Sequence, residues 1–238
     1  DNSQSINTRL GKILRLNPDP ADPIPSDNPS SIDGIAGTTT GNMRSIWAAG
    51  LRNPYTFAFK PGTSTMFIND VGETTWEEIN IGAEGANYGW GDTEGPFNEA
   101  TFPDYTHPTV YYHHSNAGLS HPALAGFTGN AITGGAFYVP DVQTFPAGYA
   151  GDYFFADYIE DWIKRYDPNS DTVQNFASGI DGPVDVKVGP GGALYYLQRN
   201  YNSFGSGRVV RVRFDVPCDA DIASSGSDEA DGLVILHD

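Results

Sequence analysis

An internal repeat constrains the fold of this 238-residue chain more than any other feature. GLRNPYTFAFKPGTSTMFI (50–68) and GIDGPVDVKVGPGGALYYL (179–197) align without a gap at an offset of 129. Gly50 meets Gly179, Pro54 meets Pro183, Pro61 meets Pro190 and Gly62 meets Gly191, while apolar residues alternate through both copies. Alternation at period two gives a strand one buried face, and Pro-Gly reverses the chain, so each copy reads as a hairpin. An offset of 129 is close to three units of about 40–50 residues, the length of a β-propeller blade.

The rest of the chain supplies strands at similar spacing. GKILRLN (11–17), SIWAAGL (45–51), WEEINIG (76–82), TVYYHH (109–114) and NAITGGAFYV (130–139) are separated by turn signals, as are GDYFFADYI (151–159), DWIKRYDP (161–168), TVQNFASG (172–179) and RVVRVRF (208–214). With aromatics at 13%, 28 Gly and 17 Pro, short strands and tight turns are favoured over helices. The expected fold is all-β: a β-propeller, or part of one, in which about 13 strands at four per blade make roughly three blades. Residues 1–216 form this part, with residues 1–10 as a loose polar end. A long Pro- and Asp-rich loop spans 17–42, and 217–238 is an acidic tail.

A net charge of −17 and a pI near 4.4 argue against nucleic-acid partners, whose phosphates this surface repels. No run approaches the roughly 18 apolar residues of a membrane span. One cysteine, Cys218, makes no internal disulfide, and the acidic, lysine-poor composition points to a secreted or periplasmic protein. No signal peptide precedes Asp1, which fits a cytosolic chain, a matured product or a fragment.

Chemistry concentrates between Ile46 and Trp90. Arg52–Asn53 precede an inner strand, where a guanidinium and an amide can hold an anionic, oxygen-rich ligand in a forked geometry. The turn itself does not require them, since the repeat carries Asp181–Gly182 there. Asp70, Glu73, Glu77 and Glu78 suit calcium, which takes carboxylate and backbone oxygens, or else form a solvated acidic edge. Alternation puts Trp76, Glu78 and Asn80 on one face. His107, His113, His114 and His121 have no spaced carboxylate partner, so the adjacent pair reads as one packed and one exposed histidine. In the tail, Asp231–Gly232, Val234 and Asp238 have the spacing of a calcium-loop half, with Ser227 at the first ligand position; this reads as the start of a dockerin-like segment or an acidic terminus. Nucleotide and serine-nucleophile motifs are absent.

GKILRLNPD, IPSDNPS, IWAAGLRNPYTFAF, INDVGETTWEEINIGAEGANYGW, AITGGAFY and GDYFFADY together resemble the glucose/sorbosone dehydrogenase family of quinoproteins, from about Gly11 to Phe214. The resemblance implies a six-bladed β-propeller that binds pyrroloquinoline quinone (PQQ) and Ca²⁺ and oxidises an aldose sugar at its anomeric carbon. It assigns Arg52 and Asn53 to the quinone and substrate region, the Gly72 carbonyl and Glu73 backbone to the cofactor's calcium, and Glu78 and Tyr88 to a structural calcium. It also implies a catalytic histidine in an N-terminal half that precedes GKILRLN, a position none of the four histidines above occupies. A lysine expected near Ile159 is missing, and Gly182 and Val184 replace arginines expected ahead of VKVGPGG. The expectation is therefore the C-terminal half of a sugar dehydrogenase, partnered by the N-terminal half or another copy of the chain. The alternative is a non-catalytic, calcium-stabilised extracellular propeller that binds carbohydrate or protein.

Overall fold

YFFAD (153–157) shows why these strands stack as blades: every residue is buried, so both faces of the strand are covered. The computed structural model describes residues 2–115, 121, 127–199 and 205–214, together with the backbone of 233–236. A short two-stranded sheet pairs β1 (Ile13–Leu14) with β2 (Ile46–Ala48). Three four-stranded antiparallel sheets follow. The first blade runs β3 (Pro54–Phe59), β4 (Met66–Asp70), β5 (Trp76–Ile81) and β6 (Val110–His113). The second is β7 (Ile132–Phe137), β8 (Tyr153–Asp157), β9 (Trp162–Asp167) and β10 (Thr172–Ser178). The third is β11 (Pro183–Val188), β12 (Leu194–Gln198), β13 (Arg208–Phe214) and β14 (Leu233–Leu236). β3, β7 and β11 are the adjoining strands, as in a propeller whose first strands line the axis.

Alternation within each strand sends successive side chains to different seams. Phe67 joins Tyr112, Phe137, Tyr153, Phe155 and Trp162 between the first and second blades, with its ring 4.8 Å from Phe137 and 4.9 Å from Tyr153. Its neighbours Met66 and Ile68 turn the other way, onto Ala48, Leu51 and Tyr88. Phe154 and Ile163 likewise face the third blade, with Val186, Leu194 and Val210. The seams also carry polar ties: Asn69 Nδ2 donates to the Thr133 and Gly134 carbonyls, Tyr153 donates to Asn69 Oδ1 (2.9 Å), and Thr133 Oγ1 donates to Pro183 O.

The structure revises three expectations. The repeat at 129 relates blades two apart, not three: β3 and β11 begin at its aligned prolines, with β7 between them. The long connection between β5 and β6 lengthens the first unit, so the period is uneven. Residues 2–10 are not loose. Ser3 and Ile6 are buried, Gln4 Nε2 donates to Asn87 Oδ1 and Trp90 O, and Lys12 Nζ gathers the carbonyls of Asn2, Ser3 and Leu10. Lastly, Leu233–Leu236, inside the stretch set apart as a tail, pairs with β13. Cys218, Ser227, Asp231, Gly232 and Asp238 lie outside the described residues.

Candidate functional site

The site is built where β3, β7 and β11 begin. Pro54 faces Asp70 across the β3–β4 ladder, and proline has no N–H to give. The Asp70 carboxylate instead takes the two preceding amides, Arg52 N at 2.9 Å and Asn53 N at 2.7 Å. Burial pushes its pKa well up, the nearby Glu78 adds to this, and the two amides oppose it. The loop is thus fixed from below, with the Asn53 side chain exposed and the Arg52 side chain half-buried. Arg52 Nη1 donates to Gly72 O (2.5 Å) and Val71 O (3.1 Å), and its guanidinium lies 5.4 Å from the Trp90 ring.

The four carboxylates of this region do not converge on one ion. Among the described residues no three His, Cys, Asp or Glu side chains form a metal-sized group. Asp70 serves the Arg52–Asn53 loop, and Glu73 is exposed. Glu77 is fully buried, meeting His114 Nε2 at 2.8 Å through one oxygen and accepting Ile132 N at 2.9 Å through the other. Glu78 accepts from Asn80 Nδ2 (3.1 Å) and Gly95 N (2.6 Å), and burial raises its pKa to about 7. The Asn80 bond bears out the expected shared face.

Two features bear on calcium. Asn80 Oδ1 is buried and accepts no hydrogen bond among the described residues, which leaves an orphan oxygen beside Glu78. Such a group is costly unless something electropositive meets it. The Tyr88 hydroxyl donates to Ile81 O and accepts from Ala83 N, which ties the phenol oxygen to the turn after β5. At Gly72 the guanidinium of Arg52 already stands on the carbonyl as a cation would. Carbonyl and carboxylate oxygens of this kind match the hard-ion preference of calcium.

Sequence reading missed three residues here. His114 does have a carboxylate, Glu77, 37 positions earlier; it was hidden because β5 and β6 become neighbours only through the long connection between them. The Glu77 bond raises the pKa of His114 despite its burial, while His113 packs edge-on against Trp76 at 4.7 Å, and both histidines are half-buried. Asp157 repeats the Asp70 device, accepting Asn130 N and Ala131 N at the head of β7. A signal existed for it: MFIND and YFFAD are both apolar strands ending in Asp. The third is Glu94, whose carboxylate accepts the amides of Glu73, Thr74, Thr75 and Trp76. His107 lies 3.5 Å from Glu99, and His121 lies 3.8 Å from Asp171. A cavity of about 540 Å³ lined by Phe57, Phe59, Phe137 and Lys187 sits at the other end of the inner strands, and none of the predicted site residues lines it.

The family model described as glucose/sorbosone dehydrogenase matches residues 1–210. HIPL2 protein of Arabidopsis thaliana is 32% identical over 220 residues, covering 80% of this chain and 30% of its own length. Aldose sugar dehydrogenase YliI of Escherichia coli is 30% identical over 221 residues, covering 88% of this chain and 53% of its own. The PQQ-bound structure of an aldose sugar dehydrogenase from Streptomyces coelicolor superimposes with a TM-score of 0.62 at 20% identity, over 89% of this chain and 54% of that one. The chain thus spans about half the length of YliI and of this solved structure, and less of HIPL2. The four-stranded blades and the family match along nearly the whole chain agree, and the chain belongs to the glucose/sorbosone dehydrogenase family.

Proposed function

We propose that this chain is the C-terminal part of a PQQ-dependent dehydrogenase that oxidises aldose sugars at C1, with Ca²⁺ as a second cofactor. The observation that carries the reading is the Arg52–Asn53 loop: a guanidinium and an exposed amide, held in place by a buried carboxylate at the head of the inner strands. PQQ, when bound, supplies the two-electron acceptor that the protein's own side chains lack. Arg52 then orients an anionic or carbonyl oxygen through its planar fork, and Asn53 offers an amide to the same ligand. The Gly72 and Glu73 backbone oxygens hold the cofactor's calcium. Glu78, the Asn80 Oδ1 orphan and the Tyr88 carbonyl hold a structural one.

The partner we propose is the N-terminal half of the propeller, carrying the catalytic histidine, or a second copy of the chain. Exposed Tyr55, Phe57 and Phe59 on β3, and exposed Leu197 and Val209 on the third blade, support it, because apolar sheet faces favour coverage. We place the protein in a secreted or periplasmic setting on its composition, and no helix of the described residues is long and apolar enough to cross a membrane. Gly182 and Val184, where the family resemblance implies arginines, favour the second reading, a calcium-stabilised binding propeller without catalysis.

Calorimetric titration of the intact protein with PQQ and Ca²⁺, followed by dye-linked oxidation of aldoses, tests the first reading. Saturable quinone binding and aldose-dependent dye reduction are expected. Calcium binding without quinone binding would leave the second reading in its place.

A further inference from the structure

One oxygen, Glu94 Oε1, accepts four consecutive backbone amides: Glu73 N at 2.8 Å, Thr74 N at 3.0 Å, Thr75 N at 3.0 Å and Trp76 N at 3.2 Å. A trans peptide points its N–H and its C=O in opposite directions. Four N–H groups turned onto Glu94 therefore turn the carbonyls of Gly72, Glu73, Thr74 and Thr75 away from it. Two of those carbonyls have partners: Gly72 O holds Arg52 Nη1, and Thr75 O accepts His114 N at 2.9 Å.

The carboxylate is itself held in place. Gly95 N donates to Glu78 Oε1, so the 73–78 segment and the 94–95 pair each clamp the other's backbone. Gly95 has φ +74, and a Cβ there would lie 2.3–2.7 Å from the Trp76 ring, so only glycine brings the backbone this close. Gly72 is equally tight, since its Cβ would meet Trp76 O at 1.7 Å. Desolvation alone would raise the Glu94 pKa, but the four amides outweigh it and hold the group below the usual carboxylate range.

We propose that Glu94 is the positioning residue of the cofactor-calcium loop: by collecting the amides of residues 73–76 it turns the Glu73 carbonyl, together with the Gly72 carbonyl that Arg52 Nη1 holds in the metal-free protein, toward the side on which the divalent cation would bind. This rests on the calcium reading of Gly72 and Glu73 above. Glu94 touches neither metal nor substrate. It acts through the direction of the peptide planes, a role open to a carboxylate and only partly to its amide, which keeps one acceptor oxygen but no charge.

The test compares wild type, Glu94→Ala and Glu94→Gln, with Glu99→Gln as a surface control in the same connection. Hydrogen exchange at the 73–76 amides is measured without metal, and Ca²⁺ affinity by calorimetry with the metal alone. In Glu94→Ala, exchange at these amides is expected to rise at least about 10-fold, and one class of calcium site to weaken by at least about 10-fold. Glu94→Gln should fall between wild type and Ala and covers the case in which Ala does not fold, while Glu99→Gln should match wild type. Unchanged calcium affinity in a folded Glu94→Ala or Glu94→Gln would overturn the inference. So would loss of all calcium sites together with a general collapse of melting temperature, which is the signature of a merely structural residue. A wild type that binds no calcium would instead overturn the calcium reading itself, and the inference with it.

Discussion

The first and third blades share a strand pattern over Gly50–Ile68 and Gly179–Leu197, yet their upper ends carry opposite chemistry. Position 52 is Arg in the first and its counterpart 181 is Asp. Position 70 is Asp, and its counterpart 199 is Arg. In the first blade the anion is the buried member: Asp70 consumes two loop amides, which leaves the cation free to reach Gly72 and Val71. In the third blade the cation is exposed, and Arg199 Nη1 donates to Tyr158 OH in the neighbouring blade. The loop amide Gly182 N is taken by Asp161, from the β8–β9 turn. The second blade sides with the first, through Asp157. Strand pairing fixes where these positions lie but not which charge occupies them, and that freedom lets one blade hold a cation over a buried carboxylate while its copy does not.

Removing the carboxylate should break the comparison most sharply. Asp70→Ala leaves the partly buried amides of Arg52 and Asn53 without their acceptor, at about 1–3 kcal/mol each, so a loss of about 4 kcal/mol at most is expected in denaturant unfolding. Arg199→Ala, at the matching place, removes an exposed side chain and should stay within about 0.5 kcal/mol. Equal costs would show that the two ends are held alike.

Next in size is a pH effect confined to the first blade. Burial raises Glu78 from 4.5 to about 7, so between these values the folded protein keeps a proton that the unfolded chain has lost. Its contribution is complete below pH 4.5 and is lost as pH rises to 7, amounting to about 2–3 kcal/mol. Glu78→Gln should flatten that part of the metal-free stability profile relative to wild type. Saturating Ca²⁺ should flatten it in the wild type as well, because a cation favours the ionised form. A Glu78→Gln profile parallel to wild type would show that Glu78 is ionised in the folded protein.

Much of the fold could be read from residues. Period-two alternation and Pro-Gly turns found the strands of both hairpins, since those signals are local. β3 and β11 both begin at the aligned prolines, so the alternation starting at Thr56 missed the first two residues of β3. The blade count between them was misjudged because the 82–109 connection carries no period. Arg52 and Asn53 stood out because their repeat copies differ, and Glu78 with Asn80 because they alternate. His114–Glu77 and Glu94 were not legible, because their partners arrive through strand pairing or loop return, and a carboxylate that binds backbone amides leaves no trace in its partners' side chains. The N-terminal residues escaped for the same reason: carbonyls do the binding to Lys12.

The smallest expected effect sharpens the comparison from the other side. Grafting the first blade's pair onto the third, Asp181→Arg with Gly182→Asn, restores the residue types but not their support. Gly182 has φ +62, in the left-handed region, whereas Asn53 has a negative φ, so asparagine at 182 is strained by about 1 kcal/mol or less. No carboxylate stands at 199 to collect the loop amides, and Asp161 already holds Gly182 N. The double variant should therefore lose only a few degrees of melting temperature and gain no quinone affinity by calorimetry, where Arg52→Ala in the first blade should lose it. Measurable binding by a graft in an Arg52→Ala background would mean that a guanidinium and an amide suffice wherever they stand. Its absence would locate the function of the first blade in Asp70 as much as in Arg52.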